Sequence, residues 1–375
     1  MARSLPARPE TSVGAGAAPS KPDFRDRLLK VTGGPSVHAM SRMPDRIKRV
    51  LLRGRSITID GNTLDTTLQL SLAASRLSGR EGLILSEDPA TARTRLNLVV
   101  AGFPRVPADV TTSELPVPGP GGDIPAVHIR PKNGGSGAPL LVYFHGGGFV
   151  VGGYETHGNL CEVISDRAGV HVLFVDYRLA PEHKAPAAAE DAYAAYQWAL
   201  DHVAELGADP DRVAVGGDSA GANLAAVVSL RARDEGAPMP VMQLLLYPMC
   251  DFTAHTRSMD LFADGYFLRR WDMDFCHDQY IGGSGIDPTD PRVSPLLAED
   301  LSGLPPALLV TAGFDPLLDQ DRQFAAALSS AGVSVDLREY GSLIHAFPNF
   351  FGLGGGAAAA TYEIISALRT HLRRS

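Results

Sequence analysis

Cysteine is nearly missing from this chain. Cys161, Cys250 and Cys276 are the only three in 375 residues. They are too few and too scattered for a disulfide framework or a cysteine-based metal site, and an odd number fits a reducing compartment. Long apolar runs are missing too, since no stretch reaches the ~18 residues a membrane-spanning helix needs. Arg3 and Arg8 open the chain, but no uninterrupted apolar segment of signal-peptide length follows them. A cytoplasmic protein is therefore expected. Nor is there an excess of positive charge: 34 Lys/Arg against 42 Asp/Glu give a net charge of −8, which argues against nucleic acid as a partner of the whole chain. No internal repeat is present. The hydrophobic share of 45% and charged share of 20% are ordinary for a globular protein, so global disorder is excluded.

What charge there is lies unevenly. Residues 1–60 hold 12 Lys/Arg and five Asp/Glu, a surplus of +7, leaving −15 for the remainder. Such a segment can visit an anionic membrane surface, or be a solvated basic tail leading into a helix. Residues 1–22, with Pro6, Pro9, Pro19 and Pro22 among Gly, Ala and Ser, read as a disordered leader. From there to residue 115 helical signals dominate. Ile47, Val50 and Leu51 make an apolar stripe edged by basic residues, and Leu64, Leu68, Leu72 and Leu77 recur at mostly helical spacing. A helical cap over residues 23–115 is expected. From residue 116 short runs such as Leu140–Phe144, Val170–Val175, Val213–Val215, Met242–Leu246, Leu308–Thr311 and Val333–Leu337 alternate with amphipathic helical stretches. That rhythm predicts an α/β catalytic domain over residues 116–375, with a mostly parallel sheet covered by helices on both faces. Residues 250–300, rich in aromatic and charged residues, exceed what one strand–helix step needs and read as an insertion that helps cover the site.

The sharpest chemical signal is Gly217-Asp218-Ser219-Ala220-Gly221, placed after a short strand and before a helical run. In that setting G-x-S-x-G is a nucleophile elbow, with small residues at 217 and 221 avoiding clashes in a strained turn. A glycine-rich anion-binding turn is the plainer alternative, and two further signals weigh against it. His145-Gly146-Gly147-Gly148 follows the strand Leu140–Phe144. The N–H groups of Gly147 and Gly148, with that of Ala220, could form an oxyanion hole, where one donor is worth about 2.7–4 kcal/mol. His145 stands too early in the chain for the base and is expected to orient this loop.

The remaining signal is a base and an acid. A serine hydroxyl attacks well only if a group removes its proton. In α/β-hydrolases, which this pattern resembles, the chain order is Ser, then Asp or Glu, then His. Of eleven histidines, His345 and His371 lie downstream of a suitable acid. His371 sits among arginines near the end of the last helix, whereas His345 follows the last strand, and His345 is taken as the base. Asp315 closes the preceding strand, while Asp319 and Asp321 read as first-turn acids complementing a helix dipole.

With these residues placed, residues 117–372 resemble the hormone-sensitive-lipase-like family of α/β-hydrolase carboxylesterases. The resemblance rests on His145–Gly148 followed by Tyr154–His157, on Asp176–His183, on Gly217–Gly221, on Asp290–Leu296 and on Gly313–Leu317. It implies an α/β-hydrolase fold with a cap, a Ser219–Asp315–His345 triad, no cofactor or metal, and small-molecule or lipid esters with short to medium acyl chains as substrates. Activity should then rise through about pH 6–7 as an imidazole becomes neutral. A lipase acting on longer chains, a hydrolase of amides, thioesters or lactones, and a non-catalytic ligand-binding module are the alternatives.

Overall fold

The computed structural model describes residues 41–133 and 137–374, so the leader expected over residues 1–22 and part of the basic segment lie outside the described residues. The first described elements are a short helix α1 (Asp45–Leu51), a small hairpin of β1 (Thr58–Ile59) and β2 (Asn62–Thr63), and helices α2 (Thr66–Leu77) and α3 (Pro89–Val100). Both longer helices carry side-chain caps. Asp65 accepts from the N–H groups of Thr67 and Leu68, and Asp88 accepts from Thr91 N–H with Pro89 at the first helical position.

The helical reading of residues 23–115 is incomplete. The residue 23–115 segment is not purely helical, because it holds the β1–β2 hairpin and the start of β3 (Val110–Gly119). Pro116 and Pro118 hide β3 in the sequence, since proline removes a ladder donor. The strand tolerates them because it is at the sheet edge, paired with one neighbour, β4 (Gly122–Pro131). The apolar stripe on α1 faces outward: Ile47, Val50 and Leu51 are exposed, and Lys48 is buried with its ammonium 2.8 Å from Thr67 Oγ1.

The main sheet continues with β5 (Ala138–Phe144), β6 (His171–Val175), β7 (Ala208–Asp218), β8 (Gln243–Leu246), β9 (Ala307–Phe314) and β10 (Val335–Ile344). Its eight strands run in the order β10-β9-β8-β7-β5-β6-β4-β3. Pairing is parallel from β10 through to β6, and antiparallel where β4 joins β6 and β3 joins β4. Side chains alternate between two cores, as strand geometry requires. Leu140, Val142 and Phe144 face the core shared with α5 (Ala187–His202) and α6 (Ala220–Asp234), whereas Leu141 and Tyr143 face the core shared with α4 (Tyr154–Ala168) and the last helix, Gly355–Arg374. The sheet is thus covered on both faces, in an α/β-hydrolase architecture.

Between β8 and β9 the chain forms α7 (Arg257–Leu261) and α8 (Arg270–Tyr280), and α9 (Leu318–Ser330) follows β9. The buried Asp272 of α8 accepts from Leu83 N–H at 3.2 Å, Ile84 N–H at 3.1 Å and the Arg269 guanidinium at 2.8 Å. One carboxylate therefore ties the 250–300 segment to the linker between α2 and α3.

Candidate active site

Four parallel strands end one residue short of a polar group of interest. His145 follows β5, Ser219 follows β7, Asp315 follows β9 and His345 follows β10. The carboxyl edge of the sheet thereby gathers side chains that are far apart in the sequence.

Ser219 occupies the elbow between β7 and α6 with φ 55° and ψ −117°, a conformation costly for a residue with a side chain, about 1–3 kcal/mol. Its N–H donates to Leu246 O at 2.8 Å, which helps to hold the turn. Close approach explains the flanking glycines. A Cβ on Gly217 would overlap the Gly221 backbone and Phe144 O, and one on Gly221 would overlap Phe144 O. Ser219 Oγ lies 3.0 Å from His345 Nε2, and His345 Nδ1 lies 2.7 Å from Asp315 Oδ2. A carboxylate only accepts, so Nδ1 carries the proton that it receives, and Nε2 is left to accept from the serine hydroxyl. The other Asp315 oxygen accepts from Leu317 N–H at 2.8 Å, and both Asp315 and His345 are buried.

The glycine loop lies alongside. Gly147 has φ 120°, and a Cβ there would overlap Val151 O. Among the described residues, the N–H groups of Gly147, Gly148 and Ala220 are given to no acceptor, whereas Gly146 N–H donates to Asp218 Oδ1 at 3.0 Å. His145 is buried, stacks on Tyr177 with ring centroids 4.4 Å apart, and holds Gly146 O through Nδ1 at 2.7 Å. Burial, with His157 nearby, pushes its imidazole down to about 3. It is a neutral brace of the loop and is not paired with Ser219.

Three residues around Asp218 escaped sequence reasoning. Its carboxylate accepts from Tyr143 O–H at 2.9 Å and Asn349 Nδ2 at 3.2 Å, and lies 3.3 Å from His157 Nε2. With Gly146 N–H these partners bind together the elbow, the glycine loop, α4 and the turn after His345. Only His157 left a trace in the sequence, inside the Tyr154–His157 run.

The rival acids and base settle elsewhere. His371 lies 2.9 Å from Asp336. Asp319 accepts from Ser258 N–H at 2.8 Å, at the start of α7. Asp321 does sit in the first turn of α9 but is fully buried, and neither carboxylate oxygen has a hydrogen-bond partner among the described residues. Burial, reinforced by Asp315, pushes its carboxyl well above the usual range. Asp321 thus keeps the first-turn place expected of it, but burial without a donor favours its protonated form, which does not serve a helix dipole. Among the described residues no cluster of three or more His, Cys, Asp or Glu side chains is arranged to hold a metal ion.

Two hollows meet at Ser219. One is bounded by Gly147, His345 and Asn349 together with Leu96, Phe103 and Phe267. The other is bounded by Gly148, Ala220, Met249, Phe252, Met273 and Leu317. Leu96, Val99 and Val100 lie on one face of α3 at i, i+3 and i+4, and Phe103 follows in the turn just past its end.

Comparison with known proteins bears on the family. The family described as alpha/beta hydrolase fold matches residues 141–349. Carboxylic ester hydrolase LipN of Mycobacterium tuberculosis is 51% identical over the full length of both chains. Carboxylesterase NlhH of the same species is 41% identical over 67% of this chain and 79% of its own. Among solved structures, a thermostable esterase from Pseudomonas putida superposes with a TM-score of 0.79 at 34% identity, covering 84% of this chain and 99% of that one. An ester hydrolase from the metagenome of Lake Arreo, solved with a bipyridine phosphonate derivative, gives 0.76 at 38% identity, covering 81% and 96%. The chain therefore belongs to the alpha/beta hydrolase fold family, within the hormone-sensitive-lipase-like group that its motifs resemble.

Proposed function

We propose that the chain hydrolyses carboxylic esters through an acyl-enzyme on Ser219. The carrying observation is the line Asp315–His345–Ser219, with contacts of 2.7 and 3.0 Å, beside three unspent N–H groups. His345 takes the hydroxyl proton as Ser219 Oγ bonds to the ester carbon, and the carbonyl oxygen gathers negative charge facing the N–H groups of Gly147, Gly148 and Ala220. The bond to the alcohol oxygen then breaks, and His345 returns the proton to it. Water, deprotonated by His345, adds to the acyl-enzyme and releases the acid and the free serine. Relatives named as ester hydrolases support the bond chosen, and the apolar walls of both hollows favour uncharged acyl and alkyl groups.

The test is hydrolysis of a graded series of aryl esters by the native chain and by Ser219→Ala, with labelling by a serine-directed phosphonate. The variant should lose at least about a thousandfold in kcat and all labelling. Undiminished turnover by the variant would falsify the mechanism.

Contact with an anionic membrane surface is a second reading. It is favoured by the exposed Ile47, Val50 and Leu51 of α1, which lie between the exposed Arg46, Arg49 and Arg53. Among the described residues no helix is long and apolar enough to cross a membrane. The full chain should co-sediment with phosphatidylserine vesicles and less with neutral ones. Equal sedimentation with both ends this reading.

A further inference from the structure

The two hollows at Ser219 are not equivalent, and their difference bears on which half of an ester is long. The leaving alcohol must take a proton from His345, so the alkyl group on that oxygen departs on the His345 side. The acyl group stays on Ser219 and occupies the opposite side. His345 and Asn349 line the first hollow, whereas the second has Ala220 and Gly148 at its mouth and no histidine. The first is therefore the alcohol side and the second the acyl side.

The alcohol side does not end at its own walls. A third cavity shares five of its wall residues with the first hollow: Leu96, Val99, Phe103, Phe267 and Phe350. Its other walls include Leu68 and Leu72 of α2, and Arg80, Glu81 and Arg269 give it a polar rim. The junction is marked by Phe267, whose ring meets that of Phe350 edge-on at 4.9 Å and whose backbone is left-handed, with φ 76°. The acyl side differs. Apart from Leu83 and Ser219, none of its wall residues lines either of the other two cavities. Phe149, in its wall, is stacked on the buried Tyr280 with centroids 4.0 Å apart, which gives it a firm back.

Resting on the ester-hydrolase reading, we infer that the substrates are esters of a short acid with a long alkyl alcohol, the alkyl chain passing Phe267 and Phe350 into the chamber under α2. The reaction balances as ester plus water giving acid plus alcohol, with the carbonyl carbon–alkoxy oxygen bond broken and the proton from His345 leaving on the alcohol.

Decyl acetate and ethyl decanoate are isomers with equal apolar content, so they separate the two sides cleanly. Decyl acetate should have the higher kcat/KM, by at least about tenfold, since even one misplaced methylene can cost that much. Equal rates, a preference for ethyl decanoate, or turnover of ethyl acetate with neither isomer hydrolysed would overturn the inference. No turnover of ethyl acetate and no phosphonate labelling would instead overturn the underlying ester-hydrolase reading. Leu72→Trp, which fills the outer chamber, should lower the ratio of decyl acetate to butyl acetate kcat/KM by about tenfold. Phe267→Gly, which widens the junction and suits the left-handed backbone, should raise that ratio. The second variant serves if the first does not fold, and a ratio unmoved by a folded variant counts against the chamber.

Discussion

Two carboxyl groups, both sealed from water, have met that situation in opposite ways. Burial works to raise Asp218, but His157, Tyr143 and Gly146 N–H outweigh it and hold the group down to about 2. Asp321 has no donor, and burial with Asp315 nearby drives it up. The consequences for stability have opposite signs. For Asp218 the unfolded chain binds the proton more readily, so the group stabilises the fold above about pH 4, by about 2 kcal/mol, and this is lost as pH falls toward 2. For Asp321 the folded chain keeps the proton while the unfolded chain releases it above about pH 4, so its contribution is lost as pH rises. Relative to the native chain, D218N should therefore weaken as pH rises from 2 to 5, and D321N should gain as pH rises above about 4. Urea midpoints across these ranges check both, and parallel trends would contradict the assignment. Ser219, Asp315 and His345 were legible in the sequence because each sits at a strand exit with the right neighbours. The partners of Asp218 were not. Tyr143 and Asn349 lie 75 and 131 residues from it, and nothing in a linear pattern reports a hydrogen bond across such distances.

At the level of elements, α3 couples the N-terminal segment to the loops at the sheet's edge. Its Arg93 donates to Val150 O and Ala180 O, each at 2.7 Å, and forks onto Glu182. Val150 belongs to the turn that carries Gly147 and Gly148, so the helix and the glycine loop share one guanidinium. The Glu182 pair is half-exposed and is worth little, whereas the carbonyl bonds are partly buried and count for more. Arg93→Ala should lower Tm by a few °C and speed hydrogen exchange in α3, with kcat/KM reduced more than tenfold because the loop drifts. Calorimetry, exchange mass spectrometry and ester kinetics check these three outcomes. Sheet and helices were legible from the alternation of short apolar runs with amphipathic ones. β3 was not, because prolines suit only an unpaired edge, and edge position is a property of the assembled sheet. What the stripe on α1 faces was not legible for a related reason: spacing reports a face of a helix but not what the face meets.

Across the whole molecule, burial grades from the middle of the sheet outward. β5 and β8 are buried along nearly their full length, as is the second half of β7, whereas most of β3 is exposed. Backbone amides should therefore exchange slowest in β5, β7 and β8 and fastest in β3, the order expected when opening is local at the rim and global at the centre. Exchange mass spectrometry reads this directly, and early exchange in β7 would contradict it.

Ser219, Asp315 and His345 each stand one peptide bond past a strand, so their meeting is answerable to pairing register. A slip of one residue in β7, β9 or β10 would carry its side chain about 3.3 Å along the strand and turn it to the opposite face. A hydrogen-bonded relay of 2.7 and 3.0 Å contacts has no tolerance for such an error. On the mechanism proposed above, ester turnover recovered after denaturation is thus a vernier on sheet assembly, counting only those molecules whose strands have re-zipped in step.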